Sequence, residues 1–176
     1  MRDGKAAIVL DTGAVSRGSG NANKNKEKEA RRYFVENDLI EGVIYLPENL
    51  FYNTNAPGII LVLNNCKAEE RRNKLFLVNA SLSFEKGDPK NFIPAVEVNR
   101  IGDVFLRWEE VERFSRIVTL EEVAKNDFNI SPSRYIHVAE AEEFRPIAEI
   151  LGELEALESK AEETNKILMQ VLGKYK

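Results

Sequence analysis

Two short apolar runs, Gly42-Val-Ile-Tyr-Leu46 and Gly58-Ile-Ile-Leu-Val-Leu63, lie about a dozen residues apart. No other feature limits the fold of this chain more. Both runs are rich in β-branched residues and bounded by Pro, Gly or Asn, which favours buried strands over helices. A parallel neighbour needs a covered crossover, usually a helix, and the intervening Pro47–Pro57 has no helical pattern. The second strand is therefore predicted to pair antiparallel with a neighbour. The connecting loop carries Phe51, Tyr52 and Asn53. Aromatics and amides on a loop at the end of buried strands are placed to meet a ligand. A second reading fits the spacing equally well: Phe51 is a packing anchor under its own loop.

Upstream, Ala6–Leu10 reads as a strand ended by Asp11-Thr-Gly13, and residues 16–25 as a Gly-, Ser- and Asn-rich loop. A helix is predicted over Lys26–Glu36, with Ala30, Tyr33 and Phe34 at helical spacing. The strand Glu41–Leu46 then completes a strand–helix–strand unit, the grammar of a helix-covered parallel sheet. Lys74–Val78 is a further strand. Beyond Asn79 the texture changes. Residues 83–94 are polar around a Gly87-Asp-Pro89 turn, and Val96–Arg113 reads as a helix with Ile101, Val104, Phe105 and Trp108 on one face. Residues 114–136 read as irregular around one short helix.

The C-terminal segment follows different rules. Ile147, Ile150, Leu154, Leu157, Ala161, Thr164, Leu168, Val171 and Tyr175 alternate at spacings of three and four, a heptad seam. A helix of roughly 30 residues spans about 45 Å, longer than a small domain is wide. A partner helix is expected along Ile147, Ile150, Leu154, Leu157, Leu168 and Val171.

With 43% hydrophobic and 31% charged residues, the composition suits a water-soluble globular chain. No apolar run reaches the roughly 18 residues a membrane span requires, and no secretory signal core is recognised at the start. The single cysteine, Cys66, rules out an internal disulfide framework and suits a reducing cytoplasm, the expected location. His137 is the sole histidine and reads as a surface or capping residue. No Ser or Cys elbow, phosphate loop, Gly-x-Gly-x-x-Gly or metal-ligand cluster is recognised, so no catalytic or metal residue is assigned. The net charge is −4, yet Arg17, Lys24, Lys26, Arg31 and Arg32 form a basic stretch. Such a stretch can meet phosphate locally in an acidic chain, and it can equally be a solvated helix face.

Several segments together resemble a known family. They are Gly4–Leu10, Asn37–Tyr52, Ile59–Leu63, Asn79-Ala-Ser81, Phe84-Glu-Lys-Gly87, Phe114–Glu122 and Asn126–Tyr135. In this order they are similar to the latter half of the modification (M) subunit of type I restriction–modification systems, adenine-specific DNA methyltransferases. The resemblance implies a Rossmann-like sheet, S-adenosylmethionine as methyl donor and a flipped target base. It also implies that an aromatic on the loop before the final strand pair stacks on that base. Phe51 matches that position, with Tyr52 as its fallback and Asn53 beside it. A base drawn out of a duplex loses stacking worth a few kcal/mol, which a π-face partly restores.

The family's glycine-containing cofactor loop and Asn-Pro-Pro-Phe/Tyr motif have no match here. Neither Asn55-Ala-Pro-Gly58 nor Asn129-Ile-Ser-Pro132 fits the latter in residue or context. The expected fold is α/β: a partial Rossmann-like methyltransferase sheet, last strands only, followed by a mostly helical C-terminal extension ending in a long helix. Its expected divisions are 1–81, 82–138 and 139–176. The functional expectation is a target-base portion, inactive alone, with S-adenosylmethionine bound only in the complete enzyme. The expected partners are DNA, the remaining methyltransferase portion and a specificity subunit. The alternative is a non-catalytic interaction module that binds a specificity subunit, or a second copy of itself, through its last helix.

Overall fold

A computed structural model describes residues 4–20, 25–138 and 147–173, in the last segment excluding the side chains of 148–150, 163, 167 and 170–172. The chain forms two compact units, 1–139 and 140–176.

In the first unit the order is β1 (Lys5–Asp11), α1 (Gly13–Ser16), α2 (Lys26–Glu36), β2 (Ile40–Tyr45), β3 (Gly58–Asn64) and a 3-10 turn at Glu69–Arg71. There follow β4 (Lys74–Asn79), α3 (Ala95–Arg107), β5 (Ser115–Thr119), α4 (Leu120–Lys125) and α5 (Pro132–Tyr135). The second unit contains α6 (Ile147–Gly173). The fold is mixed α/β around a five-stranded sheet ordered β1-β3-β2-β4-β5.

Strand β3 is antiparallel to both β1 and β2, as its short connection requires. It lies between them, so β1 and β2 run in one direction without touching. The strand–helix–strand reading thus gains an inserted strand. Only β2 and β4 pair in parallel. The stretch 114–136, expected to be irregular, supplies β5, which pairs antiparallel with β4. The extension is therefore not wholly helical, because its strand completes the sheet. The helix expected over Val96–Arg113 ends earlier, where Trp108 takes a left-handed cap at φ 53°.

Alternation along the central strands assigns the two faces. Val43, Leu75 and Leu77 pack under α2, α4 and α5 with Val35, Val118, Val123, Ile130 and Tyr135. Ile44, Phe76 and Val78 turn the other way, onto Ile101, Val104 and Trp108 of the α3 side. Because both faces are covered, β2 and β4 are buried almost throughout, whereas β1 is exposed along nearly its whole length. Val9 on this edge strand is 57% exposed.

Most buried polar groups of the first unit are paired; among the described residues the Trp108 indole N–H is the exception. Glu41 accepts from Asn64 (3.0 Å) and from Arg71 (3.1 Å), and Arg71 also lies over the Trp108 ring. Lys67 donates to Asp38 and to the Lys74 carbonyl, closing the turn from α2 into β2. Burial pulls the Lys67 ammonium below its ordinary value, and the Asp38 carboxylate opposes that shift.

At Gly42 the β2–β3 register shifts, and a Cβ there would sit 2.2 Å from the Phe76 carbonyl oxygen and against the Phe105 ring. The parallel pair and α3 both depend on that gap. Gly42→Ala is expected to lower unfolding stability by about 2 kcal/mol or more, read as a fall in the urea midpoint. An unchanged midpoint would show that the sheet relaxes freely at this point.

Candidate nucleic-acid interface

Strands β1, β2 and β4 run in one direction, so Asp11, Tyr45 and Asn79 end at one edge of the sheet. In open α/β sheets, ligands bind outside the carboxyl ends of such strands. The described segments leaving this edge are 12–20, 46–57 and 80–94.

The 46–57 loop is closed at its base by the Leu46 amide donating to the Gly58 carbonyl (2.9 Å). Inside it, Asn49 takes φ 57° and its amide donates to the Asn55 carbonyl (3.0 Å). Phe51 is half-buried: its ring edge occupies the space a Cβ on Gly58 would need and packs against the core cluster on the α3 side of the sheet. Tyr52 is 87% exposed, and Asn53 is exposed next to it. The two residues thus divide the readings left open by the sequence. Phe51 anchors the loop, and Tyr52 offers an aromatic face to solvent.

A lysine that the sequence reading did not single out braces this loop from outside. Lys90 donates to the side chains of Asn49 (2.8 Å) and Asn55 (3.0 Å) and to the Thr54 carbonyl (3.3 Å). Asn91 adds its amide to the Asn49 carbonyl and its side chain to the Glu48 carbonyl, both at 3.0 Å. The amides at 49 and 55, with a Lys-Asn pair after the Gly-Asp-Pro turn, were the available signal. Spacing alone does not join groups about 40 residues apart.

The basic stretch is arranged differently from its expectation as a phosphate-binding surface. Arg31 is only 5% exposed and donates to the carbonyls of Ala14, Arg17 and Phe128 and to the Ser19 hydroxyl. It staples loop 12–20 to residue 128, and burial pulls its guanidinium below the ordinary value. It is not available to a phosphate. Arg17 is exposed but paired with Glu27 (2.7 Å) and Asp11 (3.0 Å). Arg32 pairs with Glu36 (2.7 Å) and lies over the Phe128 ring. Lys26 is exposed at the start of α2, and Lys24 lies outside the described residues. In α6, Ile147, Leu154, Leu157 and Leu168 are each more than half exposed; the side chains of Ile150 and Val171 lie outside the described residues.

A second feature of the carboxyl edge is a polar pocket of about 500 Å³, where Thr12 and Ser16 face Tyr45 and the segment 129–137. That segment is held from behind. The Tyr135 hydroxyl donates to the Asn129 carbonyl (2.6 Å), the Ser131 amide to the Asn129 side chain (2.9 Å), and the Ile130 amide to the Val15 carbonyl (3.0 Å). His137, expected at the surface, is exposed at the rim of this pocket. Among the described residues no group of three or more His, Cys, Asp or Glu could hold a metal ion, and no helix is long and apolar enough to cross a membrane.

A family model described as N-6 DNA Methylase matches residues 1–144. The chain belongs to the N-6 DNA methylase family. It is 44% identical over 172 residues to the type I restriction enzyme MjaVII methylase subunit of Methanocaldococcus jannaschii, covering 96% of this chain and 28% of that protein. It is 32% identical to the HindI methylase subunit of Haemophilus influenzae, covering 88% of this chain and 35% of the relative. Among solved structures, the type I restriction–modification methyltransferase subunit from Streptococcus thermophilus superposes with a TM-score of 0.66 at 30% identity. That match covers 74% of this chain and 26% of the other. The EcoKI M protein shares the fold, with a TM-score of 0.58 at 13% identity, over 89% of this chain and 39% of its own. This N-6 DNA methylase chain thus spans between 26% and 39% of these relatives' lengths.

Tyr135 offers a pH test of the pocket's back wall. Burial raises its hydroxyl to about 12, against an ordinary 10.0. Because the folded value lies above the unfolded one, its contribution to stability is complete below pH 10 and is lost as pH rises through about 12. An ultraviolet phenolate titration is expected to show Tyr135 as the last tyrosine to ionise, at about 12, with Tyr45 also raised above the ordinary value. Tyr135→Phe should remove that last step, and its survival in the variant would assign it elsewhere.

Proposed function

We propose that this chain is the target-base portion of an adenine-specific DNA methyltransferase of the type I modification-subunit kind, acting together with a further methyltransferase portion. The observation that carries the reading is the braced 46–57 loop at the carboxyl edge of the sheet, with Phe51 anchored over Gly58 and Tyr52 exposed beside it. A loop fixed by Lys90 and Asn91 presents an aromatic pair at low entropic cost, as stacking on an extruded base demands. Asn53, exposed next to Tyr52, offers an amide for the edge of such a base. Lys26, Arg17 and Arg32 form the accompanying basic surface toward the DNA backbone.

In the complete enzyme the methyl group comes from S-adenosylmethionine. The residues described here do not fit that group. After β1, the space beside Gly13 is filled by the Arg17 and Asp11 side chains, so its backbone offers no open glycine cradle. On this reading, cofactor contacts and the catalytic amide belong to the other portion. The exposed edge of β1 supports it, since an unpaired apolar edge strand is a docking site for another strand.

The exposure of Ile147, Leu154, Leu157 and Leu168 favours a second role for the last helix, docking a specificity subunit helix to helix.

One reconstituted assembly, containing this chain, the remaining methyltransferase portion, a specificity subunit and duplex DNA, tests both roles. Mass spectrometry of N6-methyladenine is expected to show a fall of about tenfold or more for Phe51→Ala with Tyr52→Ala. Leu154→Asp with Leu157→Asp should release the specificity subunit in gel filtration while the sheet unit unfolds normally. Full methylation by the aromatic double variant, or methylation by the isolated chain, would overturn the target-base reading. Retention of the specificity subunit by the helix variant would overturn the docking role.

A further inference from the structure

We propose that the pocket between Thr12, Tyr45 and the segment 129–137 is a phosphate-binding site that receives a backbone phosphodiester of DNA. The choice of DNA as the source of the phosphate rests on the methyltransferase reading; the pocket's preference for a phosphate oxyanion rests on its own chemistry.

Of the 176 residues, 29 are acidic, yet among the described residues no carboxylate lines this pocket. Its wall instead offers the hydroxyls of Thr12, Tyr45, Ser131 and Ser133, the guanidinium of Arg134 and the imidazole of His137. Hydroxyl, guanidinium and imidazole groups are the side chains that hold phosphate oxygens in protein–DNA contacts. Arg134 is oriented by donating from Nε to Asn126 (3.0 Å), which leaves the Nη edge of the fork for an oxyanion. Ser131 and Ser133 are hydrogen-bonded to each other at 2.9 Å, so one of the two hydroxyl protons remains for a ligand.

The site is built rather than incidental. Ser131 is 8% exposed, and its loop is pinned by the Tyr135–Asn129 and Ile130–Val15 hydrogen bonds. Acids lie near it, among them Asp11, Glu48 and Glu122, the last paired with Arg116 (2.8 Å). Asp11, next to Thr12, is paired with Arg17. Burial and, after it, Glu48 hold the Tyr45 hydroxyl above its ordinary range. A metal cation finds no ligand set here. A bare carboxylate would need only the Arg134 fork, whereas donors spread over loop 12–16, the end of β2 and the 129–137 segment suit a tetrahedral anion with several oxygens.

Position connects the pocket to the aromatic loop. Tyr45 ends β2, and Leu46 begins the loop that carries Phe51 and Tyr52. One strand end thus leads both to a phosphate site and to a base site, as a single extruded nucleotide or its neighbour requires.

Because His137 is the only histidine, its imidazole resonances report on this pocket alone. The test is a nuclear magnetic resonance titration of the full chain with inorganic phosphate and, separately, with a short oligothymidylate. Both probes are expected to shift the His137 signals saturably, the oligonucleotide at lower concentration. Arg134→Gln is expected to weaken the oligonucleotide titration about tenfold. Ser131→Ala should weaken it less, and sheet amide signals should be unchanged in both variants. Silence of His137 toward both probes overturns the proposal. A shift with phosphate but none with the oligonucleotide overturns its DNA identity. Oligonucleotide binding with His137 silent, or unweakened by Arg134→Gln, overturns the site and leaves the methyltransferase reading standing.

Discussion

The antiparallel insertion of β3 between β1 and β2 determines how the rest of this fold is arranged. The 46–57 connection is too short to cross the sheet under a helix, so β3 returns beside β2 and takes up hydrogen bonds on both of its edges. β1 is displaced outward but keeps its direction. Together with β2 and β4 it delivers three chain ends to one edge, where the braced loop and the polar pocket both form. If β3 paired only at the outside, β1 would be buried and the pocket would lose the wall contributed by Thr12 and Ser16.

Local grammar was legible in the sequence. The apolar runs of β2, β3 and β4 and the 3.6-residue period of α2 and α3 predict elements close to those observed, and the short loop predicts β3's antiparallel pairing. What the sequence concealed is long-range. β5 is a five-residue strand in which only Ser115 and Val118 are buried, and it becomes a strand because β4 presents an open edge to it. Arg31 reads as a solvated basic residue, since nothing local reveals that Ala14, Arg17 and Phe128 converge their carbonyls on it. Its burial moves the charge of the basic stretch inward and leaves Arg17, Lys26 and Arg32 at the surface. Lys90 and the Tyr135–Asn129 bond were hidden for the same reason, because polar bracing depends on which loops the sheet brings together.

The aromatic loop sets a half-buried and an exposed ring side by side in one dipeptide. Burying Phe51 over Gly58 costs this ring much of its free face but fixes the backbone from which Tyr52 projects. Rigid presentation matters for a base-stacking site because an unordered loop would lose, as conformational entropy, much of what stacking returns. The same economy applies at the 129–137 segment, where bonds from Tyr135 and Ile130 order the backbone before any ligand arrives.

The central claim is that nucleic acid meets this chain at the carboxyl edge of its sheet. Hydrogen exchange, followed by mass spectrometry on the complete assembly with and without duplex DNA, tests it most directly. The account predicts slowed exchange in residues 46–57 and 129–137 on DNA binding, with no change at the opposite edge around the Glu69–Arg71 turn. Protection confined to that opposite edge, with the 46–57 loop exchanging as before, would contradict it.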